Sequence, residues 1–234
     1  MYLLLLIISI LPVFLVGLYI YKKDTNKEPK SLLIGLLFSG LLAGIVVIIV
    51  NVFMALVLSD GYISDDVSGF SFFRLFLTIF FEIALVEEFS KWFMVRFLGY
   101  RSKEYDEVYD IIVYSAFVAL GFAGFENIFY VLDGGIGIGL LRGILSVPGH
   151  AAFGIFMGYY MGWAKFYKNK DRLMYFRYMF LSIFIPSLLH TGFNFCLYVS
   201  GFSFFLIFLG LVIIIYIVAI CKINQFVRID NASD

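Results

Sequence analysis

The chain has 234 residues, of which 62% are hydrophobic and only 15% are charged, and its formal net charge is zero. Charged residues make up about a quarter of a typical soluble domain, so water cannot be the main solvent of this protein. The charges form no block that would follow a polyanion, which argues against nucleic acid as a partner. The composition therefore indicates an integral membrane protein in contact with the lipid bilayer.

Seven apolar stretches of the chain are long enough to cross a bilayer as helices. A helix needs about 20 such residues to span a hydrocarbon layer of roughly 30 Å. The stretches lack the alternation of a membrane β-strand, so we expect an all-α fold, a polytopic bundle of transmembrane helices. No linker divides the chain, and we expect one domain over 1–234 with a motif-bearing core over 72–199. The predicted spans are 2–21, 31–58, 72–98, 109–132, 141–164, 175–199 and 202–221.

The charges between the spans predict the orientation of the chain, because lysine and arginine accumulate on the cytoplasmic side of a membrane. The first, third and fifth loops and the C-terminal tail are basic, whereas the other loops are acidic or neutral. The second loop, for example, holds Asp60, Asp65 and Asp66. We therefore expect the N-terminus outside and the C-terminus inside the cell membrane.

Ionisable side chains inside a membrane span are costly, so each one marks a candidate functional site. Four of the predicted spans carry such residues, and both histidines of the chain are among them. In chain order these polar residues are Glu82, Glu87, Glu88 and Lys91 in the third span, Glu126 with Asn127 in the fourth, His150 in the fifth, and His190 with Asn194 in the sixth.

The spacing of the third span places Glu87, Glu88 and Lys91 on one helix face, where Lys91 can pair with either glutamate. Glu82 points elsewhere. A buried pair of this kind can also serve only helix packing, and that interpretation stays open.

The fifth and sixth spans each present a histidine on a defined face. Below His150 the glycines Gly154, Gly158 and Gly162 repeat every four residues, which is typical of a surface where a neighbouring helix packs closely. In the sixth span His190 and Asn194 are four residues apart and share a face. We expect these faces and those of the third and fourth spans to point inward at one another.

Adjacent carboxylates beside imidazoles favour general acid-base chemistry. A water molecule held between Glu87, Glu88 and an imidazole can lose a proton and attack a carbonyl carbon. Histidine and asparagine donors then stabilise the oxyanion that forms. Two glutamates and two histidines also suit zinc, but the helical HExxH spacing is missing, and we expect no cofactor and no metal.

Two other classes of function remain open from the residues alone. Chains of buried glutamate and histidine also mark proton-coupled transporters, although this chain is short for a transporter and shows no inverted halves. The third class is a non-catalytic membrane scaffold.

Four short motifs follow one another in the four polar spans. They are Glu87-Glu88-x-x-Lys91, Phe122-x-x-x-Glu126-Asn127, His150, and His190-x-x-x-Asn194. In the order and spacing of these motifs, over about residues 80–195, the chain resembles the PrsW family of bacterial intramembrane proteases. That family is similar to the CAAX prenyl endopeptidases and to bacteriocin-processing membrane proteins.

The resemblance implies a glutamate-dependent endopeptidase of the bacterial plasma membrane. It also implies a single-span membrane protein as substrate, with the first cut of an anti-sigma factor in the response to envelope stress. Carried over by position, Glu87 and Glu88 activate the water, and His190 with Asn194 forms part of the oxyanion site.

His150 and Glu126 complete the catalytic residues that the resemblance implies. The chain departs from the prenyl-endopeptidase pattern, which has an arginine one residue after the position of Lys91 and a histidine in place of Glu126. These departures favour the PrsW branch of the superfamily.

Overall fold

The computed structural model describes residues 2–58, 69–199 and 201–232. Within these ranges the chain forms seven helices and no strand, which confirms the all-α bundle. Asp60, Asp65 and Asp66 of the second predicted loop lie outside the described residues. The helices are α1 (Tyr2–Lys23), α2 (Lys30–Leu58), α3 (four segments from Phe72 to Gly99), α4 (Asp110–Ile144), α5 (Ser146–Tyr167), α6 (Arg172–Tyr198) and α7 (Phe202–Asp230).

Five stretches of the described residues are long and apolar enough to cross a membrane, so the chain is a multi-pass membrane protein. One of them, Asp110–Tyr167, contains both α4 and α5. Helix α3 is not among the five, because its α-helical and π-helical segments are each at most 10 residues long. Seven crossings, and the orientation of the chain, therefore stay predictions.

Local sequence signals set the ends of several helices. Asp171 precedes α6, and its carboxylate accepts hydrogen bonds from the backbone N–H groups of Leu173 and Met174. Ser71 precedes α3, and its hydroxyl accepts from the N–H of Arg74. Both side chains satisfy donors that a helix leaves unpaired in its first turn.

Helix α3 changes its geometry along its length, which the sequence did not predict. A π-helical turn accommodates one extra residue and is frequent at functional sites. The central α-helical segment carries Glu87, Glu88 and Lys91, and a π-helical segment lies on each side of it. The four segments are Phe72–Thr78 (α), Ile79–Ala84 (π), Leu85–Met94 (α) and Val95–Gly99 (π).

Helix α4 changes direction at Gly135, where φ is +75° and ψ is −165°. Glycine adopts this conformation readily because it has no Cβ. The predicted loop over 133–140 is wrong, since the chain is helical on both sides of Gly135 and α5 begins only at Ser146. The segment 136–144 packs against α1, where a Cβ on Gly139 would lie 2.6 Å from Cγ2 of Ile8.

Close packing of α4 against α5 forms the centre of the bundle. A Cβ on Gly158 would lie 2.6 Å from the carbonyl oxygen of Ile111, and one on Gly154 would lie 2.7 Å from that of Ser115. The backbone of α4 cannot move aside for a side chain on α5, so only glycine fits at these two positions. The glycine repeat below His150 is therefore a packing surface, as its spacing indicated.

Replacing Gly158 by valine should destabilise the fold by several kcal/mol, more than the about 1–3 kcal/mol typical of overpacking, because backbone atoms cannot yield. The thermal unfolding midpoint of the protein in detergent measures this effect. Gly210→Val in α7 is the matched control, since a Cβ at Gly210 meets nothing within 4 Å. Equal midpoints for the two variants would contradict the close helix contact.

Candidate active site

Two adjacent glutamates of α3 lie at the centre of the polar cluster. Glu87 is 7% exposed and Glu88 is fully buried. The ammonium group of Lys91, one turn further along, lies 2.7 Å from Oε1 of Glu88 and 3.5 Å from Oε2 of Glu87. It also lies 4.0 Å from the centre of the Phe122 ring. Lys91 thus compensates the charge that the glutamates carry into the bundle.

Helix α6 brings His190 to the same glutamates. Its Nδ1 lies 3.0 Å from Oε1 of Glu88 and 3.9 Å from Oε2 of Glu87. The imidazole stacks on Phe153 of α5, with ring centroids 5.0 Å apart and an interplanar angle of 22°. Stacking on one side and the carboxylate on the other hold the ring in one orientation.

Helix α5 places His150 between two charged partners. Its Nδ1 lies 3.0 Å from the ammonium group of Lys91, and its Nε2 lies 3.0 Å from Oε2 of Glu126. Lysine can only donate and an ionised carboxylate can only accept, so these contacts fit one tautomer. In this tautomer Nε2 carries the hydrogen, and the lone pair of Nδ1 faces the ammonium group of Lys91.

Arg142 completes the site, and the sequence analysis did not place it there. Its Nη2 donates to Oε2 of Glu126 at 2.8 Å, and its Nε donates to Oδ1 of Asn127 at 3.1 Å. Asn127 in turn donates to the carbonyl oxygen of Ser9 in α1 at 2.9 Å. The change of direction at Gly135 makes these contacts possible. The sequence did offer a signal, because Arg142 is an ionisable residue inside the predicted span 141–164.

The structure brings five of the six predicted site residues into one connected cluster. Asn194 is the exception, because its half-buried side chain takes part in none of the hydrogen bonds or ion pairs that join the others. It lies one turn beyond His190 in α6. The roles assigned to all six, including the oxyanion role of Asn194, stay predictions.

The cluster has an excess of carboxylates and two carboxylate oxygens without hydrogen bonds in the described part of the chain, so it can accept a further ligand or proton. Three carboxylates, those of Glu87, Glu88 and Glu126, face two basic side chains, Lys91 and Arg142. Oε2 of Glu87 and Oε2 of Glu88 are buried without a hydrogen-bond partner among the described residues. Buried carboxylate oxygens rarely stay unpaired. A water molecule, a substrate group or a cation therefore fits between them.

The same cluster has the donor set of a metal site. One ligand atom each from Glu87, Glu88, His150 and His190 lies within 4.8 Å of the others. Zinc accepts carboxylate and imidazole ligands, and a carboxylate behind a metal-binding histidine, as Glu126 lies behind His150, is the usual support. These residues therefore fit a metal. Lys91 contacts three of the same groups, those of Glu87, Glu88 and His150, so its ammonium and a metal would compete for them.

A cleft between α2, α3 and α4 leads from the surface of the bundle to this cluster. Glu87 and Glu126 form its inner wall, and Phe125 and Phe129 are among the apolar residues that line it. Its volume is about 330 Å³. Asn51 of α2 also lines the cleft, and its side-chain carbonyl oxygen is buried without a hydrogen-bond partner in the described ranges of the chain. One extended peptide segment would find both apolar surface and a hydrogen-bonding group here.

A multi-pass helical bundle with paired glutamates and two histidines, open through a cleft between helices, has the architecture of a membrane-embedded hydrolase. The comparisons with known proteins narrow this class. The sequence model described as PrsW family intramembrane metalloprotease matches residues 28–221. The chain belongs to the PrsW family of intramembrane proteases, which confirms the resemblance drawn from its motifs.

Several bacterial relatives support this assignment. A protein named Protease PrsW from Oceanobacillus iheyensis is 38% identical over 209 residues, which cover 88% of each chain. Proteins of the same name from Geobacillus kaustophilus and Bacillus subtilis are each 36% identical. The match to the Geobacillus protein covers 76% of this chain and 73% of the relative. The match to the Bacillus protein covers 82% of this chain and 86% of the relative. No solved structure matches the chain.

The family description bears on the expected absence of a metal, since it calls these proteins metalloproteases. The donor set of Glu87, Glu88, His150 and His190 is compatible with that description. The metal-free site predicted from the sequence is untested.

Replacing Arg142 by leucine should lower proteolytic activity by roughly ten- to a hundredfold, because Arg142 orients Glu126 and through it His150. Cleavage of a membrane-anchored reporter in cells measures the activity. Arg142→Lys should recover only part of it, since an ammonium group cannot bridge two partners as a guanidinium does. Arg177→Met, at an exposed position of α6, is the control and should behave like wild type. Full activity in Arg142→Leu would contradict the positioning role.

Proposed function

We propose that this protease makes the first cut in a single-span membrane protein of the anti-sigma factor class, near the outer boundary of the substrate's membrane span. The observation that carries the proposal is the cleft between α2, α3 and α4, which leads to Oε2 of Glu87, an oxygen without a hydrogen-bond partner among the described residues. Membership in a protease family supports it further.

The unpaired oxygens of Glu87 and Glu88 are the binding site for the attacking water. Glu88 is engaged by Lys91 and His190 through its other oxygen, whereas Glu87 lines the cleft. Glu87 accepts a proton as the water oxygen bonds to the carbonyl carbon of the substrate. When the carbon–nitrogen bond breaks, the same proton passes to the leaving nitrogen.

Lys91 and His190 are the candidates for stabilising the oxyanion. Lys91 is a cation within 3.5 Å of both glutamates. The cluster has one carboxylate more than it has basic side chains, and a proton on His190 would balance that charge. Such an imidazolium has an N–H at Nε2 to donate while Nδ1 stays bonded to Glu88. Asn194, one turn away, is a second donor in this proposal.

The family description and the donor set favour a metal held by Glu87, Glu88, His150 and His190. When bound, a metal of this kind polarises the carbonyl group and activates water. In either case Glu126 and Arg142 hold His150 in its orientation.

The position of the cut follows from the predicted orientation. Asn51 lies toward the end of α2 that faces outward in that orientation. In the part of α4 before its change of direction, Glu126 lies nearer to Gly135 than to Asp110. A peptide bond must leave its helical hydrogen bonds before it can be attacked. Asn51 can accept a hydrogen bond from the unwound segment, which favours cleavage close to the outer boundary of the span.

Glu87→Gln, Glu88→Gln and His190→Ala should each reduce cleavage by at least about a hundredfold, the usual scale for loss of a general base or an oxyanion donor. The assay is coexpression with a tagged single-span anti-sigma factor, followed by fragment detection and mass spectrometry of the new terminus. Glu82→Gln removes a carboxylate from the same helix and is the matched control.

We expect the terminus of the fragment to lie at the outer boundary of the substrate's span. A cut on the cytoplasmic side would contradict the predicted orientation, and wild-type cleavage by the three variants would contradict the mechanism. If other single-span proteins are cut while the anti-sigma factor stays intact, the proposed substrate class is wrong.

Protein purified without chelators should contain about one equivalent of a divalent transition metal, as expected for a site with four protein donors. Elemental analysis measures this content. Glu88→Gln and His150→Ala should each lower it strongly, while Glu82→Gln should not. Full activity in metal-free, chelator-treated protein would instead show that the glutamates act with Lys91 and His190 and without a metal.

A further inference from the structure

A second group of buried carboxylates lies far from the active site, where the loops before α2 and before α4 meet. Asp24 follows α1, Glu107 precedes α4, and Asp110 is the first residue of α4. One carboxylate oxygen from each of the three lies within 4.8 Å of the others. Asp110 and Glu126 are separated by 16 residues of α4, or about 24 Å along the helix. The two clusters are therefore distinct.

Two of these carboxylates have oxygens without a partner. Asp24 is 2% exposed and Asp110 is fully buried. Within the part of the chain that the structure describes, neither oxygen of Asp24 has a hydrogen-bond partner, and Oδ1 of Asp110 also lacks one. Oδ2 of Asp110, by contrast, accepts from the backbone N–H groups of Asp106 and Glu107. Three buried acceptor atoms are thus left without the donor that such atoms normally find.

The surroundings of the group are also acidic. Asp230, at the end of α7, accepts hydrogen bonds from the N–H groups of Val108 and Tyr109, and its charge acts on Asp24. Glu28 is buried as well and accepts a hydrogen bond of 2.6 Å from the hydroxyl of Tyr114. These carboxylates add negative charge around the unpaired oxygens.

Few positive groups balance this charge. Lys27 and the backbone amides of Asn26 and Glu28 act favourably on Asp24, but burial outweighs them and raises the pKa of Asp24. Burial likewise raises the pKa of Glu28. Lys165 acts on Asp110 from α5, while its ammonium donates to the carbonyl oxygen of Tyr105. Keeping all of these carboxylates ionised therefore requires a further cation.

We propose that Asp24, Glu107 and Asp110 form a binding site for a hard divalent cation, Ca²⁺ or Mg²⁺. Both ions prefer carboxylate oxygens, and oxygens on opposite sides of Ca²⁺ lie about 4.8 Å apart at bond lengths near 2.4 Å. The cation joins the loop after α1 to the loop that connects α3 with α4. Because α3 and α4 carry the catalytic glutamates and Glu126, the site stabilises the frame of the active centre from its far end.

The test is the thermal unfolding midpoint of the full-length protein in detergent at pH 7.5, after chelator treatment and then with millimolar Ca²⁺ or Mg²⁺. A cation at about a hundredfold its dissociation constant should raise the midpoint by roughly 5 °C. The rise should shrink as the pH falls to 5, because protons compete for the same carboxylates. No rise with either ion would overturn the proposal.

Asp24→Asn should abolish the response to the cation, and Asp110→Asn should do so independently if the first variant does not fold. Glu104→Gln removes an exposed carboxylate from the same loop and should keep the full response. A Glu87→Gln/Glu88→Gln variant should keep it too, because the active site is not involved. A response that persists in both asparagine variants would place the cation elsewhere and contradict the proposed site.

Discussion

Burying ionisable groups among helices is the constraint on which the rest of this structure depends. A charge withdrawn from water is costly unless an opposite charge and hydrogen bonds replace the solvent. The glutamates of α3 meet this requirement through Lys91 on their own helix and His190 on α6. Glu126 meets it through His150 and Arg142. The pairings made by His190, His150 and Arg142 join separate parts of the chain, so satisfying the charges also determines how the helices are arranged.

The helices can form these pairs because small residues let them approach closely. At Gly154 and Gly158 the surface of α5 meets the backbone of α4, which brings His150 within hydrogen-bonding distance of Glu126 and Lys91. The two π-helical segments of α3 border the turn that presents the glutamates. The arrangement of these polar side chains at distances near 3 Å is therefore a consequence of backbone packing as much as of side-chain chemistry.

The bundle places two acidic groups at different levels of α4, and their partners differ. Around Glu87 and Glu88, basic side chains and imidazoles surround the carboxylates, which suits proton transfer and transition-metal binding. Around Asp24 and Asp110 the neighbours are backbone amides and further carboxylates, and three carboxylate oxygens have no hydrogen-bond partner among the described residues, which suits a hard cation. One helix thus connects a reactive site with a site whose proposed role is to hold the loops together.

By itself, the sequence determined the all-α membrane class, the shared face of Glu87, Glu88 and Lys91, and the family. The class and the shared face depend on local helical periodicity and on the cost of charge in lipid, which can be read from one segment at a time. The family follows from the order and spacing of four short motifs along the chain. The tertiary structure alone decided that Arg142 reaches Glu126, that Asn194 stays outside the hydrogen-bonded cluster, and that Asp24 meets Asp110. Such contacts depend on how the chain turns at Gly135 and on how separate loops fold together, and no periodic pattern in the sequence encodes either.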